Sequence, residues 1–140
     1  MPLARAYINP VTGEVTVSKV LRGFDKPDYN WLPGHRGVDL DASVGDPIRS
    51  AGDGVVSFSG MVAGTPTISI THADGVRTTY QPAHPLVSQG DQVAEGDVIG
   101  TLGNPFDAKP GLHWGAKRGE EYVDPLSLLQ APRIRLKPLD

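Results

Sequence analysis

The stretch GVVSFSGMVAGTPTISITHADGVRTTYQP, residues 54–82, decides the fold. Three runs in it, 54–62, 67–72 and 76–81, are rich in β-branched and aromatic residues, which favour strands. Glycine-containing turns such as Ala73-Asp74-Gly75 separate these runs. The stretch therefore predicts consecutive short strands joined by turns.

The same pattern extends in both directions along the chain. Runs at 14–21, 97–102 and 112–117 also predict strands, and 17 glycines and 13 prolines separate the β-like segments. Only residues 123–130 predict a helical turn, with Asp124 as its N-cap and Pro125 at its first position. The sequence predicts an all-β fold.

Length and charge exclude several classes of protein. The chain has 140 residues, which is enough for one domain with a buried core. Its 13 basic and 16 acidic residues are mixed, so the net charge of -3 predicts no nucleic-acid partner. There is no cysteine and no apolar run of about 20 residues, the length of a membrane span. The first ten residues lack the apolar stretch of a signal peptide.

Two segments of the sequence echo each other. GDPIRSAGDGVVSFSG (45–60) and GDQVAEGDVIGTLG (90–103) both contain two Gly-Asp pairs and lead into an apolar run. A duplicated strand–turn–strand unit explains the echo, and so does the same turn chemistry used twice.

The segment LPGHRGVDLDA (32–42) places His35 four residues before Asp39. Alternation along a strand GVDL sends Val38 and Leu40 to the core and Asp39 to the other face, where a carboxylate needs a partner. Taken alone, the pair is more typical of a salt bridge or an Asx turn than of a metal site.

A second candidate residue lies in GLHWGAK (111–117). There His113 shares a strand face with Gly111 and Gly115, which leave its imidazole unobstructed. By itself His113 is more typical of a strand histidine bonded to a carbonyl. Two histidines and one carboxylate nevertheless form a recognisable zinc set with one position left for water.

The order of these motifs, closed by LHWGAKRGEEYVDPLSLL, resembles the LytM/lysostaphin-like zinc metallopeptidases over roughly residues 33 to 129. The resemblance implies a compact β-sandwich-like duplicated hybrid motif in a single domain. It implies that His35, Asp39 and His113 bind Zn²⁺. It also implies peptidoglycan peptides as ligand and an extracytoplasmic location, in the periplasm or cell wall.

The resemblance also implies an organisation of the chain. Residues 1–32 are expected to form an N-terminal strand and loop packed on the domain. Residues 33–130 are expected to be the LytM-like domain, and residues 131–140 a C-terminal tail. The protein is expected to be a monomer.

The chain departs from the family at two positions. Active members carry helper histidines in Y-x-H and H-x-H motifs, and here Pro82 and Gly111 occupy those positions. Neither side chain accepts a proton or donates a hydrogen bond. The sequence therefore resembles a degenerate, zinc-retaining member of actinobacterial type.

Three other residues are candidate substitutes for the helper histidines. His84 lies two residues beyond Pro82 in a proline-stiffened extended loop, and it is more typical of an exposed loop histidine than of a displaced catalytic one. The Tyr80 hydroxyl could orient a bound carbonyl, although packing is its more typical use. Lys117 shares the His113 face and is a candidate contact for an anionic group, although most lysines at strand ends are simply solvated.

The sequence is compatible with two functions. In the first, the domain is catalytically impaired and binds wall peptides, or regulates wall hydrolysis through a cell-wall enzyme partner. In the second, it is an active zinc metalloendopeptidase that cleaves peptidoglycan cross-links.

Overall fold

The computed structural model describes residues 7–25, 36–105 and 110–129. This part of the chain forms eleven short strands and one helical turn, which confirms the all-β prediction. The elements are β1 (Val20–Arg22), β2 (Gly37–Leu40), β3 (Pro47–Arg49), β4 (Gly54–Val62), β5 (Thr65–His72), β6 (Val76–Gln81), β7 (Ala83–Pro85), β8 (Gln92–Val93), β9 (Val98–Leu102), β10 (Leu112–Arg118), β11 (Glu121–Val123) and α1 (Leu126–Leu129).

The strands form two antiparallel sheets. The larger has the order β1-β2-β10-β6-β5-β4-β8, with β11 beside the end of β10, and the smaller has the order β3-β9-β7. Fully buried side chains from both sheets, among them Ile68 and Trp114 of the larger and Ile48 and Ile99 of the smaller, form one core cluster. This arrangement confirms the predicted sandwich-like single domain.

The opening stretch 54–82 forms the meander β4-β5-β6 at the centre of the larger sheet. The observed strands agree with the predicted runs to within two residues. Alternation buries Ile68 and Ile70 of β5 completely, while Ser69 between them faces the other side of the sheet.

The two echoing segments exchange strands. The first strand of one segment, β3, pairs with the second strand of the other, β9, and β4 pairs with β8 in the same reciprocal way. The backbone contacts repeat this relation: Gly45 N donates to Leu102 O at 2.8 Å, and Gly90 N donates to Val56 O at 2.8 Å. The echo therefore corresponds to two strand pairs that contact each other reciprocally.

Turn chemistry accounts for the rest of the echo. At three Gly-Asp pairs the glycine has a positive φ, and the aspartate carboxylate accepts a hydrogen bond from the backbone N–H three residues earlier. The donor–acceptor pairs are Ser43–Asp46 at 2.9 Å, Ser88–Asp91 at 2.9 Å and Ala94–Asp97 at 2.8 Å.

The strand predicted for 14–21 is wrong over most of its length, because β1 contains only its last two residues. The buried Asn9 holds the preceding segment in turns. Its Oδ1 accepts from Val11 N at 2.8 Å, and its Nδ2 donates to Ser18 Oγ at 2.9 Å and to Thr16 O at 3.2 Å. These side-chain bonds compete with strand pairing and override the β-propensity of Val15 and Val17.

The predicted helical turn is confirmed as α1. The Asp124 carboxylate accepts from Leu126 N at 3.0 Å and caps the turn, as predicted. No helix within the described ranges is long and apolar enough to span a membrane. The predicted boundaries at 32/33 and 130/131 involve residues outside the described part of the chain, so the domain division stays a prediction.

Candidate metal centre and cleft

Strands β2 and β10 bring Asp39 and His113 directly opposite each other. His113 Nδ1 lies 3.0 Å from Asp39 Oδ1. The flanking residues Val38, Leu40 and Trp114 are completely buried, so alternation leaves the polar pair on the face away from the core. The Asp39 carboxylate was expected to need a partner, and the structure places His113, 74 positions later in the chain, beside it.

Glycine at position 37 makes room for the His113 ring. A Cβ at this position would lie 2.8 Å from His113 Nε2 and 2.6 Å from the Trp114 carbonyl oxygen. A Cβ on Gly115 would lie 3.8 Å from the same Nε2, an ordinary contact distance. The imidazole is 28% exposed, so a ligand can approach it from the open side of the sheet.

The third predicted ligand, His35, lies outside the described residues. In the part of the chain that is described, no three histidine, aspartate or glutamate side chains form a metal-binding group. Two ligands about 2.0–2.1 Å from a tetrahedral zinc lie roughly 3.3 Å apart. The observed 3.0 Å between His113 Nδ1 and Asp39 Oδ1 fits such a pair, and it fits a direct hydrogen bond equally well.

A cleft of about 450 Å³ extends from His113 across the larger sheet. Its floor is built from β5 and β6, which present hydroxyl and amide groups on this face, beside the apolar side chains of Phe58 and Val62. Ser69 Oγ lies 3.1 Å from Thr79 Oγ1, and Thr67 Oγ1 donates to Gln81 Oε1 at 3.1 Å or to Thr65 O at 3.0 Å. Such a floor offers both donors and acceptors to a peptide backbone.

The far end of the cleft is basic. Arg36, Arg77 and Lys117 line it together with Tyr122 of β11. Lys117 Nζ lies 5.0 Å from the centre of the Tyr122 ring, and Arg36 Cζ lies 5.6 Å from it, distances typical of cation–π contacts. Lys117 Nζ also lies 3.8 Å from Glu120, whose side chain is fully exposed.

Tyr80 does not face this cleft. It is completely buried on the core side of β6, where its hydroxyl accepts a hydrogen bond from Ala51 N at 3.0 Å and lies 2.6 Å from Thr78 Oγ1. Burial raises the pKa of the Tyr80 phenol. The possibility that this hydroxyl orients a bound carbonyl is therefore wrong, because strand alternation sends it to the opposite face.

His72 belongs to the same buried network. Its Nδ1 lies 2.8 Å from Asp53 O and its Nε2 lies 2.8 Å from Thr78 Oγ1. A carbonyl oxygen only accepts, so Nδ1 carries the proton and the neutral ring accepts from the Thr78 hydroxyl at Nε2. Burial lowers the pKa of His72 and stabilises this neutral form. Both ring nitrogens are occupied.

Gly111 occupies the position of one missing helper histidine. Its φ is +88°, a left-handed conformation, and a Cβ on it would lie 2.3 Å from the Leu40 carbonyl oxygen and 2.9 Å from Leu21 Cδ1. The backbone of β2 therefore fills the space into which a side chain at position 111 would extend.

Pro82, the other replacement, is buried between β6 and β7. His84 is exposed and lies on the paired strand β7, so the predicted extended conformation is confirmed while the predicted loop is a strand. His84 Nε2 and Pro82 Cβ lie 3.0 and 3.5 Å from the position that a Cβ on Gly103 would occupy. The His84 ring is thus close to Pro82, but it does not line the cleft beside His113.

The sequence pattern indicates Asp39, His113 and Lys117 as site residues, but it does not indicate Arg36, Arg77 or Tyr122. The strand predicted for 76–81 places Arg77 on the same face as Thr79 and Gln81. That β6 is the neighbour of β10 was not readable from the sequence.

Comparison with known proteins finds one matching family and several relatives. Residues 33–125 match the profile of Peptidase family M23. An uncharacterised protein of Mycobacterium tuberculosis is 47% identical over 127 residues, which cover 86% of this chain and 51% of that protein. The peptidoglycan DD-endopeptidase ShyC of Vibrio cholerae is 36% identical over 96 residues, 63% of this chain and 21% of that protein.

A solved structure is similar as well. The crystal structure of a zinc-containing peptidase from Vibrio cholerae superposes with a TM-score of 0.68 at 25% identity, covering 88% of this chain and 40% of that one. The chain spans about half the length of the mycobacterial relative.

Proposed function

Because the chain belongs to peptidase family M23, we propose that it is a zinc-binding domain of the bacterial cell envelope, directed at peptidoglycan, in which peptide hydrolysis is impaired. The membership agrees with the LytM/lysostaphin-like resemblance of the sequence. The peptidoglycan DD-endopeptidase among the relatives supports the wall as target and the envelope as location.

One observation carries the proposal of impairment, namely the closure of position 111. With φ at +88° and the Leu40 carbonyl oxygen 2.3 Å from a Cβ position, no histidine side chain fits on this backbone. Position 111 therefore lacks the helper histidine and also lacks the space for one, because the backbone of β2 occupies that space.

Loss of both helper groups has a large expected effect. A positioned acid or base contributes about 10²–10⁴ in rate, and one oxyanion donor about 10²–10³. Groups that act as a unit do not multiply cleanly. Even so, the combined deficit corresponds to a barrier higher by about 4–8 kcal/mol.

The sequence keeps all three residues that the family resemblance implies as zinc ligands. Asp39 and His113 would hold Zn²⁺ together with His35, and the space left by Gly37 keeps the His113 ring accessible. When bound, zinc supplies an activated water and polarises a carbonyl. The chain itself contributes the floor of the cleft, on which Thr79 and Gln81 can orient a peptide. This combination supports binding of wall peptides, or regulation of a cell-wall enzyme partner, rather than turnover.

The test is a muropeptide-release assay on purified peptidoglycan with the zinc-loaded protein and a His113→Ala control. We expect release no greater than that of the control. Robust zinc-dependent release that disappears in His113→Ala would contradict the impaired function and support an active endopeptidase.

The alternative of an active zinc metalloendopeptidase is favoured by one observation. The exposed His84 ring lies close to Pro82, the position of the missing Y-x-H histidine. If release is observed, His84→Ala separates two explanations. Loss of activity would identify His84 as the displaced catalytic histidine, and retention would mean that the zinc site works without it.

A further inference from the structure

The charge of the cleft opposes that of the chain. The protein has a net charge of -3, yet among the described residues the cleft is lined by Arg36, Arg77 and Lys117 and by no aspartate or glutamate. Walls of one sign of charge concentrate ligands of the other sign. The cleft is therefore suited to an anionic ligand.

Two of these cations are placed against each other. Arg77 on β6 and Lys117 on β10 are direct cross-strand partners. Like charges in this relation destabilise a sheet. The acidic neighbour of Lys117 among the described residues, Glu120, lies 3.8 Å away with a fully exposed side chain, where an ion pair is weak. An anion bound between Arg77 and Lys117 would relieve this repulsion.

The remaining surroundings point to a carboxylate on a peptide. The basic end lies four residues along β10 from His113, which is roughly 13 Å at the rise of an antiparallel strand. The Gln81 amide lies opposite His113, and the Ser69 and Thr79 hydroxyls lie between the two ends; these groups match the donors and acceptors of an extended backbone.

We infer that the cleft binds an extended acidic peptide, with a free carboxylate held between Arg77 and Lys117 about three to four residues from the group nearest His113. As a statement about wall peptides, this inference rests on the proposed function. Arg36 and Lys117 lie at cation–π distances from the Tyr122 ring and add positive charge beside the carboxylate.

The experiment uses three fluorescein-labelled synthetic peptides and the full zinc-loaded chain. The first is a wall stem tetrapeptide, L-Ala-γ-D-Glu-L-Lys-D-Ala, with free carboxylates. The second is the same peptide with every carboxylate amidated, and the third is an unrelated acidic peptide, four alanines followed by glutamate. Binding is followed by fluorescence anisotropy at roughly 50 and 300 mM NaCl, because screening separates ionic contacts from others.

The variants are Arg77→Gln and Lys117→Gln, with Arg118→Gln as the matched control. Arg118 is the exposed neighbour of Lys117 in β10, and it does not line the cleft. Circular dichroism checks that each variant keeps the wild-type sheet content. We expect the free-carboxylate stem peptide to bind about five- to tenfold more tightly than its amidated form, and more so at low salt. Each cleft variant should remove most of this difference, and Arg118→Gln should keep it.

The other outcomes separate the two proposals. If both stem peptides bind equally and the cleft variants change nothing, the inference is overturned while the wall-binding function stands. If only the unrelated acidic peptide binds, and binding requires Arg77, the acidic-peptide cleft is supported and the peptidoglycan target is contradicted. Absence of binding by all three peptides overturns the inference.

Discussion

Replacement of Gly111 by alanine tests whether the backbone excludes a side chain at this position. A left-handed φ of +88° costs a non-glycine residue about 1–2 kcal/mol. The new Cβ would lie 2.3 Å from the Leu40 carbonyl oxygen, whereas ordinary contacts begin at 3.4 Å, so β2 must move. Such overpacking costs about 1–3 kcal/mol. We expect the free energy of unfolding to fall by about 2–5 kcal/mol.

Gly75→Ala is the matched control for this prediction. Gly75 has a φ of +87°, but nothing lies within 4 Å of its Cβ position, so only the conformational cost of about 1–2 kcal/mol applies. Urea unfolding followed by circular dichroism gives both values. Equal losses in the two variants would refute the steric closure of position 111, and with it the argument that no helper histidine fits there.

Three further predictions concern the histidines. We expect about one zinc ion per chain by elemental analysis after dialysis. The variant His113→Ala should lose tight zinc binding and keep the circular dichroism of the β-sheets. Zinc bound equally well by this variant would contradict the ligand set. Because the predicted site has three protein ligands, removal of zinc by a chelator should leave the domain folded at moderate temperature, and complete unfolding would instead make the zinc structural. Burial lowers the pKa of His72 below its ordinary value of 6.5. Between the folded-state pKa and about 6.5, the unfolded chain therefore binds more protons than the folded chain. The free energy of unfolding should decline as the pH falls through this range. In urea titrations across this range, His72→Gln should show a shallower decline than the exposed-histidine control His84→Gln, and identical slopes would contradict the assignment.

The strands predicted from the sequence are correct where β-like residues form a run and turn residues lie at both of its ends. In 54–82 the turn residues bound each run, and the observed strands follow them closely. The failure at 14–21 has a specific cause, because the side chain of one buried asparagine, Asn9, forms four hydrogen bonds that hold its neighbours in turns. The burial of Asn9 depends on the rest of the fold, so local propensity could not reveal it.

The sequence by itself determined the alternation that separates Val38 and Leu40 from Asp39, and Leu112 and Trp114 from His113, because the period of a strand is two residues. It also determined the family, since the motifs occur in a recognisable order. Only the tertiary structure decided which strands are neighbours, because strand pairing joins residues far apart in the chain. That pairing brings Asp39 to 3.0 Å from His113, sets Arg77 opposite Lys117, and presses Gly111 against the Leu40 carbonyl.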